Sequence, residues 1–202
     1  MTTSAGDEPI APPAAPQAGV LNIANLLTVV RLALVPFFVW LMFIEGTWWR
    51  VGALLLFAVA SLTDHVDGEL ARRRNLITDF GKIADPIADK ALVGSALVSL
   101  SILDRLWWWV TIAILVREIG ITLLRFVVIR YGVIAASRGG KLKTMLQVIG
   151  IGLYIMPGPL DPLRWAVMGA ATVVTVVTGL DYLFKAWKLW KDGRASRAAD
   201  GR

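Results

Sequence analysis

The sequence predicts an all-α integral membrane protein, six transmembrane helices with a carboxylate-rich site at their cytoplasmic side. Three observations carry this expectation. The 202 residues are 56% hydrophobic, with a mean hydropathy of +0.64, and their apolar runs are longer than a soluble core of this size would use. The basic residues gather in alternate connections between those runs. Four aspartates, Asp64, Asp67, Asp85 and Asp89, stand between the second and third runs. The absence of cysteine excludes a disulfide framework and a Cys-based zinc site. The net charge of +6 sits at the ends of apolar segments, which suits anionic lipid head groups and not nucleic acid.

Residues 1–20 are rich in Ala, Pro, Thr and Ser and contain no Lys or Arg, so they read as a disordered arm. They have neither the basic n-region nor the apolar h-region of a signal peptide, which leaves the first apolar helix as an uncleaved anchor. Six candidate spans follow, at about 24–44, 51–71, 83–103, 107–130, 140–157 and 163–184. At ~1.5 Å per residue most of them reach across a hydrocarbon core of ~30 Å. The fifth is the shortest in strictly apolar terms, from Met145 to Met156, and Lys141 and Lys143 must snorkel if it starts earlier. Pro157 and Pro159 end it. Trp48, Trp49, Trp107, Trp108, Trp109, Trp165, Trp187 and Trp190 lie near span ends, where an amphipathic ring is favoured.

Loop charges set the orientation. Arg72, Arg73, Arg74, Lys82 and Lys90 flank the second connection, Arg130, Arg138, Lys141 and Lys143 the fourth, and Lys185, Lys188, Lys191, Arg194, Arg197 and Arg202 mark the tail. The remaining connections carry only Arg50, Arg105 and Arg164. The positive-inside rule therefore places both termini and the aspartates on the cytoplasmic side. No internal repeat is evident, and residues 21–190 read as one six-helix domain.

Polar residues inside the spans point to function. Arg31 in the first span and Arg117, Glu118 and Arg125 in the fourth would each cost ~2.5–3.5 kcal/mol at the bilayer centre, so they should face the bundle or a wet cavity. Arg117 and Arg125 are two turns apart, near one face, with Glu118 able to pair with a neighbour. Gly139-Gly140-Lys141-Leu142-Lys143-Thr144 opens the fifth helix with two ammonium groups, a hydroxyl and unpaired N–H donors, a combination suited to phosphate. Asn25, Thr28 and Arg31 line one side of the first helix at a spacing of three. Asp64 and Asp67 are i and i+3, Asp85 and Asp89 are i and i+4, and each pair shares a helix face. Carboxylates converging in this way repel one another unless cations sit between them, and bound divalent metal is the simplest answer. His65, with no second His or Cys, adds little to a metal site.

These residues carry a resemblance. Asp64-x-x-Asp67-Gly68-x-x-Ala71-Arg72, followed after eight residues by Gly81-x-x-x-Asp85-x-x-x-Asp89, is similar at every signature position to the CDP-alcohol phosphotransferases. Within that family, Asn25-Leu26-Leu27-Thr28 with Arg31, Asp85-Pro86-Ile87-Ala88-Asp89-Lys90, Arg117-Glu118 with Arg125, and Gly140-Lys141-Leu142-Lys143-Thr144 with Gln147 resemble bacterial phosphatidylglycerophosphate synthases. The resemblance covers roughly residues 22–190.

The resemblance implies the fold of that family and transfer of a phosphatidyl group from CDP-diacylglycerol to sn-glycerol 3-phosphate, releasing CMP, in a bacterial cytoplasmic membrane. It implies that Asp64, Asp67, Asp85 and in part Asp89 hold two Mg2+ ions, Mn2+ being an alternative, and that Asp89 is also the catalytic base. It implies CDP-diacylglycerol binding by Asp64, Asp67, Gly68, Ala71, Arg72, Asn25 and Thr28, and acceptor-phosphate binding by Arg117, Arg125, Lys141, Lys143 and Arg31. Membrane lipids and a homodimeric partner are also implied. Two rivals stand beside this reading: a cardiolipin synthase of the same family with phosphatidylglycerol as acceptor, and a cation transporter. Arg117-Glu118 and the Gly140–Thr144 turn favour glycerol phosphate over the first. The second needs acidic residues through the bilayer, whereas these cluster at one side.

Overall fold

Apolar runs interrupted by short Gly- and Pro-bearing turns leave the chain little choice but antiparallel helices. The computed structural model describes residues 23–73, 79–128 and 138–200, and side chains within 26–63, 87–88, 90–124 and 140–191. Six helices run in order: α1 (Ile23–Phe43), α2 (Thr47–Arg73), α3 (Asp79–Ile102), α4 (Trp108–Val128), α5 (Arg138–Ile155) and α6 (Asp161–Asp200). No strand occurs among the described residues. The N-terminal arm lies outside them.

The three turns at one end of the bundle are tight. Gly46 and Gly158 adopt φ of 124° and 119°, left-handed values that side-chain-bearing residues resist, and so reverse the chain between α1 and α2 and between α5 and α6. Asp104, at φ 53°, does the same after α3. There the Arg105 N–H donates to Leu100 O at 2.9 Å and the Asp104 N–H to Ser101 O at 3.1 Å, the paired bonds of a Schellman cap.

Helix α1 packs on α2 and α3, α6 packs on α4 and α5, and α3 reaches both α4 and α5, with α2 also meeting α5. Phe38, Phe57, Leu97, Leu100, Ile114, Ile151, Ile155 and Met168 fill the centre, with Phe38 and Phe57 rings 5.8 Å apart. Around this core the usual soluble arrangement is inverted. Thr28, Arg31, Ser99, Ser101, Thr111, Lys143, Gln147, Thr172 and Thr175 are buried, while Leu55, Val59, Leu62, Val116, Leu123, Val173, Val177, Leu180 and Phe184 are exposed. A surface that apolar belongs against lipid. The buried hydroxyls serve as interhelical ties: Ser101 and Thr111 meet at 2.7 Å, and Thr111 also donates to Leu97 O at 3.3 Å, locking α3 to α4.

Among the described residues, two helices are long and apolar enough by themselves to cross a membrane, over Leu26–Phe43 and Asp161–Lys191, and Thr47–Thr63 and Lys90–Ile102 are shorter apolar helices. The expected spans and the observed helices agree to within a few residues except at the end of the sixth. Expected to stop near 184, α6 instead runs unbroken for 40 residues to Asp200, ~60 Å at ~1.5 Å per residue. Ala, Lys, Arg, Leu and Trp dominate this extension, no proline interrupts it, and a single interior glycine, Gly193, costs only about 1 kcal/mol.

The arginines of the far end have a structural task. Arg50 donates from Nε to Ile155 O at 3.2 Å and from Nη2 to Tyr154 O at 3.4 Å and Met156 O at 3.2 Å. Arg164 donates to Leu153 O at 2.9 Å, Met156 O at 2.5 Å and Gly158 O at 2.9 Å. Together they satisfy the orphan carbonyls at the C-terminus of α5 and place positive charge at the negative end of its dipole.

Candidate active site

Helix phase relates the aspartate positions to the buried stripes of α2 and α3. On α2, Ala53, Phe57 and Ala60 form a buried stripe whose alternating steps of four and three lead on to positions 64, 67 and 71. On α3 the buried stripe runs through Ala88, Leu92 and Ala96, and the same steps place 85 and 89 on it. Leu62 on α2 and Ile87 on α3, off these stripes, are 67% and 55% exposed. Continued in register, these stripes run through the positions of both aspartate pairs, on two consecutive antiparallel helices at the same end. The side chains of Asp64, Asp67, Ala71, Arg72, Asp85 and Asp89, together with Gly68, Asn25 and Arg125, lie outside the described side chains. Among the described residues no group of three or more His, Cys, Asp or Glu comes together.

The same end of the bundle holds a cation cluster. A single carboxylate oxygen, Oε1 of Glu118 on α4, accepts from Arg117 Nη1 at 3.2 Å and from Lys143 Nζ of α5. The three side chains are 17%, 12% and 6% exposed, so this network is shielded from water. Lys90, adjacent to Asp89 on α3, is close enough to act on Glu118 electrostatically. Helix α6 holds Arg117 from the other side: Nη2 donates to Thr178 Oγ1 at 3.3 Å, and the guanidinium lies 5.8 Å from the Tyr182 ring centroid, a cation–π contact. Arg117 Nε is buried without a hydrogen-bond partner.

The two lysines of the α5 turn are separated by the helix. Lys143 continues a buried stripe through Gln147, Ile151 and Ile155, each four residues on, and turns inward to Glu118 where snorkelling was expected. Lys141, two positions earlier, is exposed on another face. On α1, Thr28 and Arg31 are each 3% exposed and face the bundle, whereas Leu26, Val29 and Val30 face outward. Gln147 Nε2 donates to Thr175 Oγ1 at 3.0 Å, a buried link between α5 and α6.

Helix α6 contributes residues that the motifs did not mark. Thr172, Thr175 and Thr178 recur every three residues in an otherwise apolar span, with Tyr182 four further on. Each threonine hydroxyl donates to the carbonyl four residues back, to Met168, Ala171 and Val174, which leaves its oxygen available to accept from α4 or α5. That polar stripe was the signal, legible as a face needing partners inside the bundle.

The family model described as CDP-alcohol phosphatidyltransferase matches residues 21–177. The chain is 51% identical over 175 residues to a probable phosphatidylglycerophosphate synthase of Mycobacterium tuberculosis, covering 84% of each. It is 38% identical over 184 residues to the CDP-diacylglycerol–glycerol-3-phosphate 3-phosphatidyltransferase of Bacillus subtilis, covering 82% of this chain and 95% of that one. The crystal structure of Mycobacterium tuberculosis phosphatidylinositol phosphate synthase with CDP-DAG bound shares the fold, with a TM-score of 0.56 at 20% identity over 83% of this chain and 88% of the other.

Proposed function

The chain belongs to the CDP-alcohol phosphatidyltransferase family, and from that premise we propose that it transfers a phosphatidyl group from CDP-diacylglycerol to sn-glycerol 3-phosphate, giving phosphatidylglycerol phosphate and CMP. The relatives named for that reaction support the choice of substrates. The observation that carries it is a juxtaposition. The buried cations Arg117 and Lys143 meet between α4 and α5, at the end of the bundle where α2 and α3 carry the aspartate positions.

Four carboxylates in this register fit a hard divalent cation, which takes oxygen ligands. Asp64, Asp67, Asp85 and in part Asp89 would hold two Mg2+ or Mn2+ ions, which when bound supply charge neutralisation for the pyrophosphate and the departing CMP. The protein's own groups do the rest. Gly68 and Ala71 leave room for the nucleotide along α2, Arg72 meets a phosphate or the cytosine edge, and Asn25 and Thr28 add polar contacts from α1. Arg117 and Lys143, with Arg125, Arg31 and the exposed Lys141 around them, bind the acceptor phosphate by forked and point-charge contacts. That anchoring presents the 1-hydroxyl to phosphorus. As the new O–P bond forms, Asp89 takes the hydroxyl proton, the bond between phosphorus and the CMP oxygen breaks, and CMP leaves with the electron pair.

Substrate chemistry supports a location for this site at the cytoplasmic interface of a bacterial inner membrane, with all six helices crossing. The nucleotide and glycerol phosphate are water-borne while the acyl tails stay in lipid. Basic residues crowd the ends bearing the aspartates, as the positive-inside rule requires of a cytoplasmic face. The test is CMP release from CDP-diacylglycerol by the purified protein with Mg2+ and each acceptor in turn. Release with glycerol 3-phosphate alone is expected. Release that depends on phosphatidylglycerol would replace this reading with cardiolipin synthesis.

A further inference from the structure

Glu118 has no part in the scheme above, yet more of the site's charge converges on it than on any other described residue. An isolated carboxylate in a membrane helix is costly. Here one oxygen collects a guanidinium from its own helix and an ammonium from α5, with Lys90 of α3 as a third positive charge within electrostatic reach. Helix α6 contributes the Thr178 hydroxyl and the Tyr182 ring against Arg117. Two cations whose repulsion would otherwise drive them apart are drawn to one point by a carboxylate that cancels half their charge. These three groups together carry one net positive charge, which favours an anionic ligand.

The remaining donor geometry points the same way. Arg117 spends Nη1 on Glu118 and Nη2 on Thr178, while its buried Nε–H has no partner. A buried guanidinium donor left over in this way costs free energy unless a ligand takes it up. Clamped by Glu118, Thr178 and Tyr182, Arg117 cannot rotate to satisfy Nε without giving up an existing contact.

We propose that Glu118 is a positioning residue for the acceptor: without touching substrate, it holds Arg117 of α4 and Lys143 of α5 convergent on one carboxylate oxygen, so that together they receive the acceptor phosphate. This rests on the glycerol 3-phosphate reading. It makes Glu118 a determinant of acceptor affinity and leaves the CDP-diacylglycerol half of the site untouched.

The experiment is steady-state CMP release by the full-length protein, varying each substrate separately, for wild type, Glu118→Gln, Glu118→Asp, Lys143→Met and the double variant Glu118→Gln/Lys143→Met. Glu118→Gln keeps the shape and loses the charge. It should raise the KM for glycerol 3-phosphate about tenfold while the KM for CDP-diacylglycerol stays put, and Glu118→Asp should recover part of the loss. The double variant should lose less than the two single losses combined, because with Lys143 gone the carboxylate has only Arg117 left to hold. An equal rise in both KM values, or fully additive losses in the double variant, would show a merely structural role and overturn the inference. A lower KM for glycerol 3-phosphate in Glu118→Gln would also overturn it, since the carboxylate would then be competing with the phosphate. If Glu118→Gln does not fold, the comparison of Glu118→Asp with wild type decides, with a selective rise in acceptor KM expected. A wild-type protein inactive with glycerol 3-phosphate but active with another acceptor overturns the parent reading instead, and this one with it.

Discussion

Arg117 of α4 lies so close to Gly179 of α6 that a Cβ built on the glycine would stand 3.0 Å from Arg117 Cγ. Glycine at 179 is what lets the arginine stem pass over α6 and reach Thr178 on one side and the Tyr182 ring on the other. Gly179→Ala should push the stem away by a few tenths of an ångström and weaken both contacts. Because the Arg117 side chain yields more readily than a helix backbone, the expected cost in stability is below about 1.5 kcal/mol. The KM for glycerol 3-phosphate should rise about three- to tenfold. Thermal unfolding in detergent, run beside the kinetics, separates the two effects. An unaltered acceptor KM would mean that Arg117 does not meet the acceptor.

The two lysines of the α5 turn should behave differently. Lys143 is 5% exposed and bonded to Glu118, whereas Lys141 is exposed. Lys143→Ala is expected to raise the acceptor KM about tenfold or more, in the range of a lost charge-assisted contact. Lys141→Ala should change it by about twofold or less at physiological salt, since an exposed charge is screened. Equal effects would give Lys141 as large a share of the phosphate site as Lys143, as its motif alone suggests.

This difference shows what the sequence could and could not tell. The helices were legible because most apolar runs end in Gly, Pro or a basic cluster, and the turns at Gly46 and Gly158 stand at those breaks, whereas the third run ends at Asp104. The aspartate spacings of three and four continue the registers of the buried stripes on α2 and α3, while the aspartate side chains lie outside the described ones. Which lysine turns inward was harder to read, since Lys141 and Lys143 are two apart and either could have led the buried stripe. The phase is set by Gln147, Ile151 and Ile155, which bury one side of α5 against its neighbours. Thr178 and Tyr182 were missed for a related reason. Their role depends on α6 packing against α4, a pairing that no local spacing encodes.

Asp89→Asn is expected to abolish turnover, by at least about a hundredfold, while CDP-diacylglycerol binding is largely retained. Removing divalent metal with a chelator should also abolish turnover, and added Mg2+ should restore it in the wild type but not in the variant. Binding is read by equilibrium dialysis of a radiolabelled CDP-lipid in detergent. Substantial turnover in Asp89→Asn would take the base role away from Asp89. Activity that survives exhaustive chelation would argue against metal between the aspartates.

A last prediction separates what holds the fold from what performs the chemistry. Arg164 is 12% exposed and donates to the carbonyls of Leu153, Met156 and Gly158, at the end of the bundle opposite the aspartates. Its fourth partner, Asp161, is 62% exposed, and a pair that open to solvent contributes little. Arg164→Met keeps most of the aliphatic stem but leaves the C-terminal carbonyls of α5 short of donors, with Arg50 alone to cover them. The expected loss is about 2–4 kcal/mol, the sum of charge-assisted hydrogen bonds and a dipole contact less what water recovers. It should appear as a lower unfolding temperature with the KM for both substrates unchanged, because Lys143 sits on the same helix about 2.8 turns before Leu153, with Gln147 about 1.7 turns before it. A shifted acceptor KM would mean that the fraying of α5 propagates along the helix to Lys143, and that the far-end arginines hold the site as well as the fold.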